Sequence, residues 1–110
     1  MYRGKLYYEG EGNFLTVHRF IERGNDAGLS ATTRWDGEGE WTIDTAAAKV
    51  GDTYTTPPVH PKNKAGTPFP QTAVVTITVV QRSLTEIQVV GTWSEGGQAY
   101  KFEGDLESAA

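Results

Sequence analysis

The chain has 110 residues, with 10 Lys and Arg against 14 Asp and Glu for a net charge of −4, and it contains no cysteine. That length supports one domain, residues 1–110, around a single modest core. The missing thiols exclude disulfides, thiolate metal sites and a cysteine nucleophile, and the scattered charges leave no basic stripe for nucleic acid.

Apolar and polar residues alternate with period two between Gly, Asn and Asp clusters, and no segment carries a helical stripe. Eight strands are predicted, over residues 2–9, 13–22, 29–36, 39–46, 48–55, 71–82, 85–95 and 98–106. The first opens Tyr2-Arg3-Gly4-Lys5-Leu6, which reads as a strand and not as an export leader. No stretch reaches the ~18 apolar residues of a membrane span. With no disulfides either, the expected location is cytoplasmic. In the second strand Phe14, Thr16, His18 and Phe20 share one face and Leu15, Val17, Arg19 and Ile21 the other. Either choice turns a polar group inward, and an unpaired buried charge is costly.

The third and fourth strands meet at Asp36-Gly37-Glu38, which sets Trp35 against Gly39, Thr33 against Trp41 and Ala31 against Ile43. Ala46, Ala47 and Ala48 are too few to nucleate a helix. A loop at about 56–70 follows the fifth strand and holds all five prolines, which cannot donate to a central ladder. At fifteen positions it is long for a hairpin connection, a length that is commonly functional or disordered. The sixth and seventh strands pair Val79 with Val89 and Val75 with Trp93 around Ser83-Leu84-Thr85. The last hairpin, on Gly96-Gly97, pairs Trp93 with Tyr100, Gly91 with Phe102, Val89 with Gly104 and Ile87 with Leu106. Two rings, Trp35 and Phe102, are thereby expected to cover a glycine across a strand pair, a device used where sheets curve. The inner set is Leu6, Tyr8, Ala31, Trp35, Trp41, Ile43, Val75, Ile77, Val79, Val89, Trp93, Tyr100, Phe102 and Leu106.

Consecutive hairpins imply an all-β, antiparallel eight-stranded meander closing into a small up-and-down barrel, with a two-sheet β-sandwich as the alternative. EGEGNFLTV (9–17) and DGEGEWTID (36–44) echo one another, and EGGQAYKF (95–102) supplies a third acidic-Gly turn leading into an aromatic strand. The echo is read as repeated hairpin chemistry, and its alignment of Phe14 with Trp41 turns His18 inward. Through GEGEW and GTWSEGGQAYKFEGDL the chain resembles the small calycin-type barrels, lipocalins and avidin-like proteins. That resemblance implies a barrel whose interior or mouth holds a small ligand, and it carries over no family binding residues.

Candidate ligand-binding residues are His18 or Arg19, to orient a polar group, and Trp35, Trp41, Trp93 and Tyr100, to line an apolar one. The same rings serve equally as core, since side chains can fill an eight-stranded barrel. In the proline loop, His60, Lys62, Lys64 and Phe69 are candidates for a lid, with Lys62 or Lys64 attracting an anion. Glu38 with Glu40, and Glu103 with Asp105, have the spacing of paired carboxylates but fall on the expected exterior. His18 and His60 lack a local metal-ligand spacing, and no nucleophile elbow or phosphate loop is present. Neither cofactor nor metal is expected, and no catalytic constellation can be assembled. The outward face of Val74, Thr76, Thr78, Val90 and Thr92 carries no charge and suits a homo-oligomer or partner contact. The leading expectation is non-catalytic binding of a small apolar or anionic ligand. The alternative is a protein-interaction or inhibitor module acting through the proline loop or the Thr/Val face.

Overall fold

The computed structural model describes residues 1–35 and 37–109. The expected end of the third strand at Asp36, and that residue's part in the following turn, lie outside the described residues. Eight strands run β1 (Tyr2–Tyr8), β2 (Phe14–Glu22), β3 (Asp26–Trp35), β4 (Gly39–Val50), β5 (Thr53–Thr55), β6 (Ala73–Arg82), β7 (Glu86–Glu95) and β8 (Gln98–Ser108). Each pairs antiparallel with its sequence neighbour, and β1 pairs with β8, closing the barrel through Tyr2↔Ser108 and Tyr8↔Phe102. That last ladder rules out an open two-sheet sandwich. Among the described residues no helix is long and apolar enough to cross a membrane.

The registers argued from face matching hold for all three hairpins. Trp35↔Gly39, Thr33↔Trp41 and Ala31↔Ile43 link β3 to β4. Val75↔Trp93 and Val79↔Val89 link β6 to β7, and Trp93↔Tyr100, Gly91↔Phe102 and Ile87↔Leu106 link β7 to β8. A slip by one residue would exchange the buried and solvent faces, so burial fixes these pairings. The fourth strand is longer than expected. Ala46, Ala47 and Ala48 continue it through pairing with Gly28, Ala27 and Asp26, and Ala47 is buried. The chain then turns at Gly51, whose φ of 62° favours glycine, leaving β5 only three residues.

Two bulges correct the expected facing of side chains. The β2–β3 register shifts between Val17 and Arg19, so Leu15, Val17 and Phe20 all point inward. His18 and Arg19 both lie exposed on the outside. Strict alternation would have forced one of them into the core, and the extra residue spares the barrel that desolvation cost. His18 does not face in. A second shift, between Val79 and Gln81, moves the end of the β6–β7 hairpin by one place, to Arg82↔Ile87.

The interior is filled. One contiguous cluster runs from Leu6, Leu15 and Phe20 through Ile77 and Val89 to Trp93, Phe102 and Leu106. Phe102 covers Gly91 as expected, because a Cβ there would lie 2.0 Å from the Thr76 carbonyl oxygen and 2.6 Å from the Phe102 ring. Trp35 does not cover Gly39, around whose Cβ position nothing lies within 4 Å. Its ring turns instead to Tyr8 and Tyr100, with centroids 5.0 and 4.9 Å away.

Because β5 is short, β4 and β6 diverge beyond it, and the proline loop fills the gap. Thr56 donates its backbone N–H to Val75 O, and the buried Thr56 hydroxyl accepts from Val75 N–H, each at 2.9 Å. Val59 exchanges both backbone bonds with Ala73, and Lys62 does so with Thr42. The loop is therefore the missing half of a barrel wall. Prolines suit it, because a wall closed by isolated bridges needs few donors and gains from a chain with little freedom to lose.

Candidate functional site

The two barrel ends differ in chemistry. At the end where β2 and β6 finish, Arg82 donates to both Glu22 carboxylate oxygens, at 2.8 and 2.6 Å, and the buried Tyr54 hydroxyl donates to the same carboxylate. Phe20 packs edge-on against Tyr54 at 5.0 Å. The Arg82 hydrogen bonds hold the Glu22 carboxyl below its ordinary pKa, ahead of an opposing desolvation. Burial, and then the bond to Glu22, pushes the Tyr54 phenol up to about 12. This end is plugged and electrically matched.

The opposite end is a shallow mouth with an aromatic floor. Trp35 and Tyr100 pack on the core cluster but remain half-buried, 4.9 Å apart. Beneath them Tyr8, edge-on to Phe102 at 5.9 Å, shares a 2.8 Å hydrogen bond with the fully buried Thr33 hydroxyl. Burial raises the Tyr8 phenol pKa against the opposing hydrogen bond with Thr33, with smaller rises from the charges of Glu95 and Glu11. Trp35, Glu38, Phe69, Pro70, Glu95 and Tyr100 are among the residues bounding a concavity of about 450 Å³. A second concavity, of about 540 Å³, is bounded by the same two rings together with Glu11, Gly12, Asn13 and Glu38. Neither is lined by Lys, Arg or His.

The residues singled out from sequence fall in five places. Trp35 and Tyr100 meet at the mouth, and Phe69 joins them from the loop. Trp93 is wholly buried beneath them and donates its indole N–H to Glu95 at 2.8 Å, so it is core. Trp41 leaves the expected inner set to pack against Phe69 at 4.9 Å, with its N–H given to the Glu38 carbonyl. His18 and Arg19 lie outside, where His18 shares a 2.7 Å hydrogen bond with Thr32 and Arg19 stands 4.0 Å from Asp44. In the loop, His60 hydrogen-bonds the Phe69 carbonyl at 2.9 Å and so helps fix that ring. Lys62 is exposed and held by its backbone, and Lys64 stands 3.9 Å from Glu40, away from the mouth.

Sequence reasoning missed the acidic rim. The signal was present in the echo of acidic-Gly turns. In an up-and-down meander alternate turns share an end, so Glu9-Gly10-Glu11, Gly37-Glu38-Gly39 and Glu95-Gly96-Gly97 must gather at one mouth. On the outer wall, Thr76, Thr78, Val90 and Thr92 line a groove of about 320 Å³ with Glu9, Lys101 and Glu103 beside it. Thr76 pairs its hydroxyl with Thr92, and Thr53 with Thr78, each at 2.8 Å. No known protein family model matches the chain, and neither does any curated protein.

Proposed function

We propose that the protein is a non-catalytic binder that takes a small ligand at the barrel mouth, over the rings of Trp35 and Tyr100. The observation that carries this is two adjacent, half-buried aromatic rings on the floor of a concavity, with Phe69 of the proline loop as a wall. A volume of about 450 Å³ lies within the ~300–1,000 Å³ typical of ligand sites. The filled interior argues for a ligand seated on the barrel instead of within it. The calycin-type resemblance supports the same end-on placement. An anionic ligand is not retained, because the rim carries Glu11, Glu38 and Glu95 while Lys64 is engaged with Glu40.

The test is heteronuclear NMR of the three indole N–H groups during titration with a panel of small molecules. Binding at the mouth shifts the Trp35 signal while Trp41 moves little. Ligands that bind without perturbing Trp35 or Tyr100 overturn the reading.

A second reading, a homo-oligomer through Val74, Thr76, Thr78, Val90 and Thr92, is favoured by the groove that Thr76, Thr78, Val90 and Thr92 line on that face, with Glu9, Lys101 and Glu103 at its edge. Internal pairing of the threonine hydroxyls leaves largely apolar surface to offer a partner. Sedimentation of the wild type against Thr92→Glu checks it, since a dimer through this face dissociates in the variant.

A further inference from the structure

The site at the mouth, taken as the ligand site proposed above, also indicates the sign of its ligand: we infer that it receives an organic cation of the alkylammonium class. Two independent features point there. The first is the aromatic floor. Trp35 and Tyr100 are held by Tyr8, Trp93 and Phe102 beneath and around them, and ring faces attract cations through their quadrupoles. All five rings lie within one linked set of contacts no longer than 6.3 Å. The platform is therefore preorganised and needs little ordering when a ligand arrives.

The second feature is an unbalanced rim. Glu11, Glu38 and Glu95 border the two concavities beside Trp35, and among the described residues none of them forms an ion pair. Among the described residues four carboxylates do stand within 4.0 Å of a cationic side chain: Glu22 by Arg82, Glu40 by Lys64, Asp44 by Arg19 and Asp26 by Arg23. Others on the outer wall, such as Glu103 and Asp105, do not, so what distinguishes the rim is its position beside the rings. Carboxylates are left unmatched beside half-open rings, and a mobile cation would complete that arrangement. Glu95 is partly fixed already, because one of its oxygens accepts from Trp93. Glu95 also lines the concavity beside Trp35 and Tyr100.

An alkylated ammonium suits this mixture better than a bare metal ion. Its methyl groups cover the rings while its charge lies near the carboxylates without needing inner-sphere contact. Hard cations instead seek several oxygen ligands in one shell.

The experiment pairs choline with its neutral isostere, 3,3-dimethylbutan-1-ol, in NMR titrations of the full chain at low ionic strength. Choline is expected to shift the Trp35 indole and Tyr100 signals saturably, and to bind on the order of tenfold more tightly than the alcohol. Glu38→Gln combined with Glu95→Gln should remove most of that preference by weakening choline far more than the alcohol. Both variants keep an oxygen acceptor, so Trp93 retains its partner and folding is preserved. Equal binding of the two probes overturns the cation inference and leaves a mouth for neutral apolar ligands. Failure of both probes to perturb the mouth, with other panel members also silent there, overturns the site itself.

Discussion

The two ends of this barrel solve the same problem in opposite ways. Each must terminate a filled core with side chains that face water, and each places a tyrosine hydroxyl and a carboxylate near its rings. At the end holding Tyr54, the carboxylate of Glu22 is drawn in and neutralised by two hydrogen bonds from Arg82. At the mouth, the phenol of Tyr8 is satisfied by Thr33, and among the described residues Glu11, Glu38 and Glu95 at the rim form no ion pair. The difference follows from which turns fall at which end. The turns after β1, β3 and β7 carry Glu beside Gly and share their end with the proline loop, and turns after even-numbered strands carry Arg23 with Asn25, Gly51 with Asp52, and Ser83 just after Arg82. A plugged end contributes stability, whereas the unmatched end is where the proposed ligand would sit.

The largest expected effect breaks the plugged end. Arg82→Met leaves Glu22 and the Tyr54 hydroxyl facing one another without the guanidinium. Breaking a fully buried pair costs roughly 3–5 kcal/mol. Here the Arg82 side chain is 47% exposed and that of Glu22 21%, so solvent screening reduces the cost to about 1–2 kcal/mol. Urea unfolding monitored by tryptophan fluorescence measures it. Ligand titrations at the mouth should be unaffected, since the ends are separate; a loss of binding equal to the loss of stability would contradict the division.

How far the sequence foretold this division can be argued from particular residues. The hairpin registers, the closed meander and the burial of Val75, Val89, Trp93 and Phe102 were legible, because period-two faces admit only one self-consistent pairing. The Glu22–Arg82–Tyr54 cluster was not, since it joins residues 32 and 60 positions apart, and no local pattern marks a contact of that range. The outward turn of His18 was hidden for another reason. A bulge leaves alternation intact on either side and shows only as the mismatch of two half-strands. Of the candidate site, the sequence singles out Trp35 and Tyr100 for an apolar lining and Phe69 for a lid, and the structure brings the three to one concavity at the mouth.

The pH dependence of stability sharpens the comparison next. Glu22 has a folded pKa below its unfolded value, so its contribution is fully present above the unfolded carboxylate pKa of about 4.3. It is lost as pH falls through the lower, folded value. Tyr54 is the converse: its phenol titrates near 12 when folded, against about 10 unfolded, so the unfolded chain ionises first. Stability is therefore complete below pH 10 and declines between about 10 and 12, with the buried Tyr8 adding to the same limb. Glu22→Gln should flatten the acid limb, and Tyr54→Phe should shallow the alkaline one. Thermal midpoints across pH 3 to 11.5 test both; an unchanged acid limb in Glu22→Gln would move the acid sensitivity elsewhere.

A smaller effect concerns the mouth's floor. Trp35→Leu keeps an apolar side chain on Tyr8 and Tyr100 but removes half of the ring pair. Because Trp35 is only half-buried, the expected loss of stability is about 1 kcal/mol, less than the ~3–5 kcal/mol of a fully buried Trp→Ala change. Its effect on choline binding should be proportionally larger than its effect on unfolding. Chemical denaturation run beside the NMR titration separates the two. A stability loss above about 3 kcal/mol would mean that the ring belongs to the core as fully as Trp93 does.

The smallest effect is the most discriminating, because it has the opposite sign. Neutralising rim carboxylates with Glu11→Gln and Glu38→Gln removes repulsion and breaks no ion pair, so the double variant should unfold at a slightly higher temperature than the wild type at low salt. Screening by salt must then erase the gain, since the Debye length shrinks from about 30 Å at 0.01 M to about 3 Å at 1 M. The plugged end predicts the reverse. There, removing Glu22 strands a guanidinium and lowers the midpoint at every salt concentration. A rise that disappears with salt at one end, beside a fall that persists at the other, is the signature of carboxylates left unmatched at the mouth. If the rim variants instead destabilise the fold, those glutamates are already engaged with the chain and have no charge left to offer a ligand.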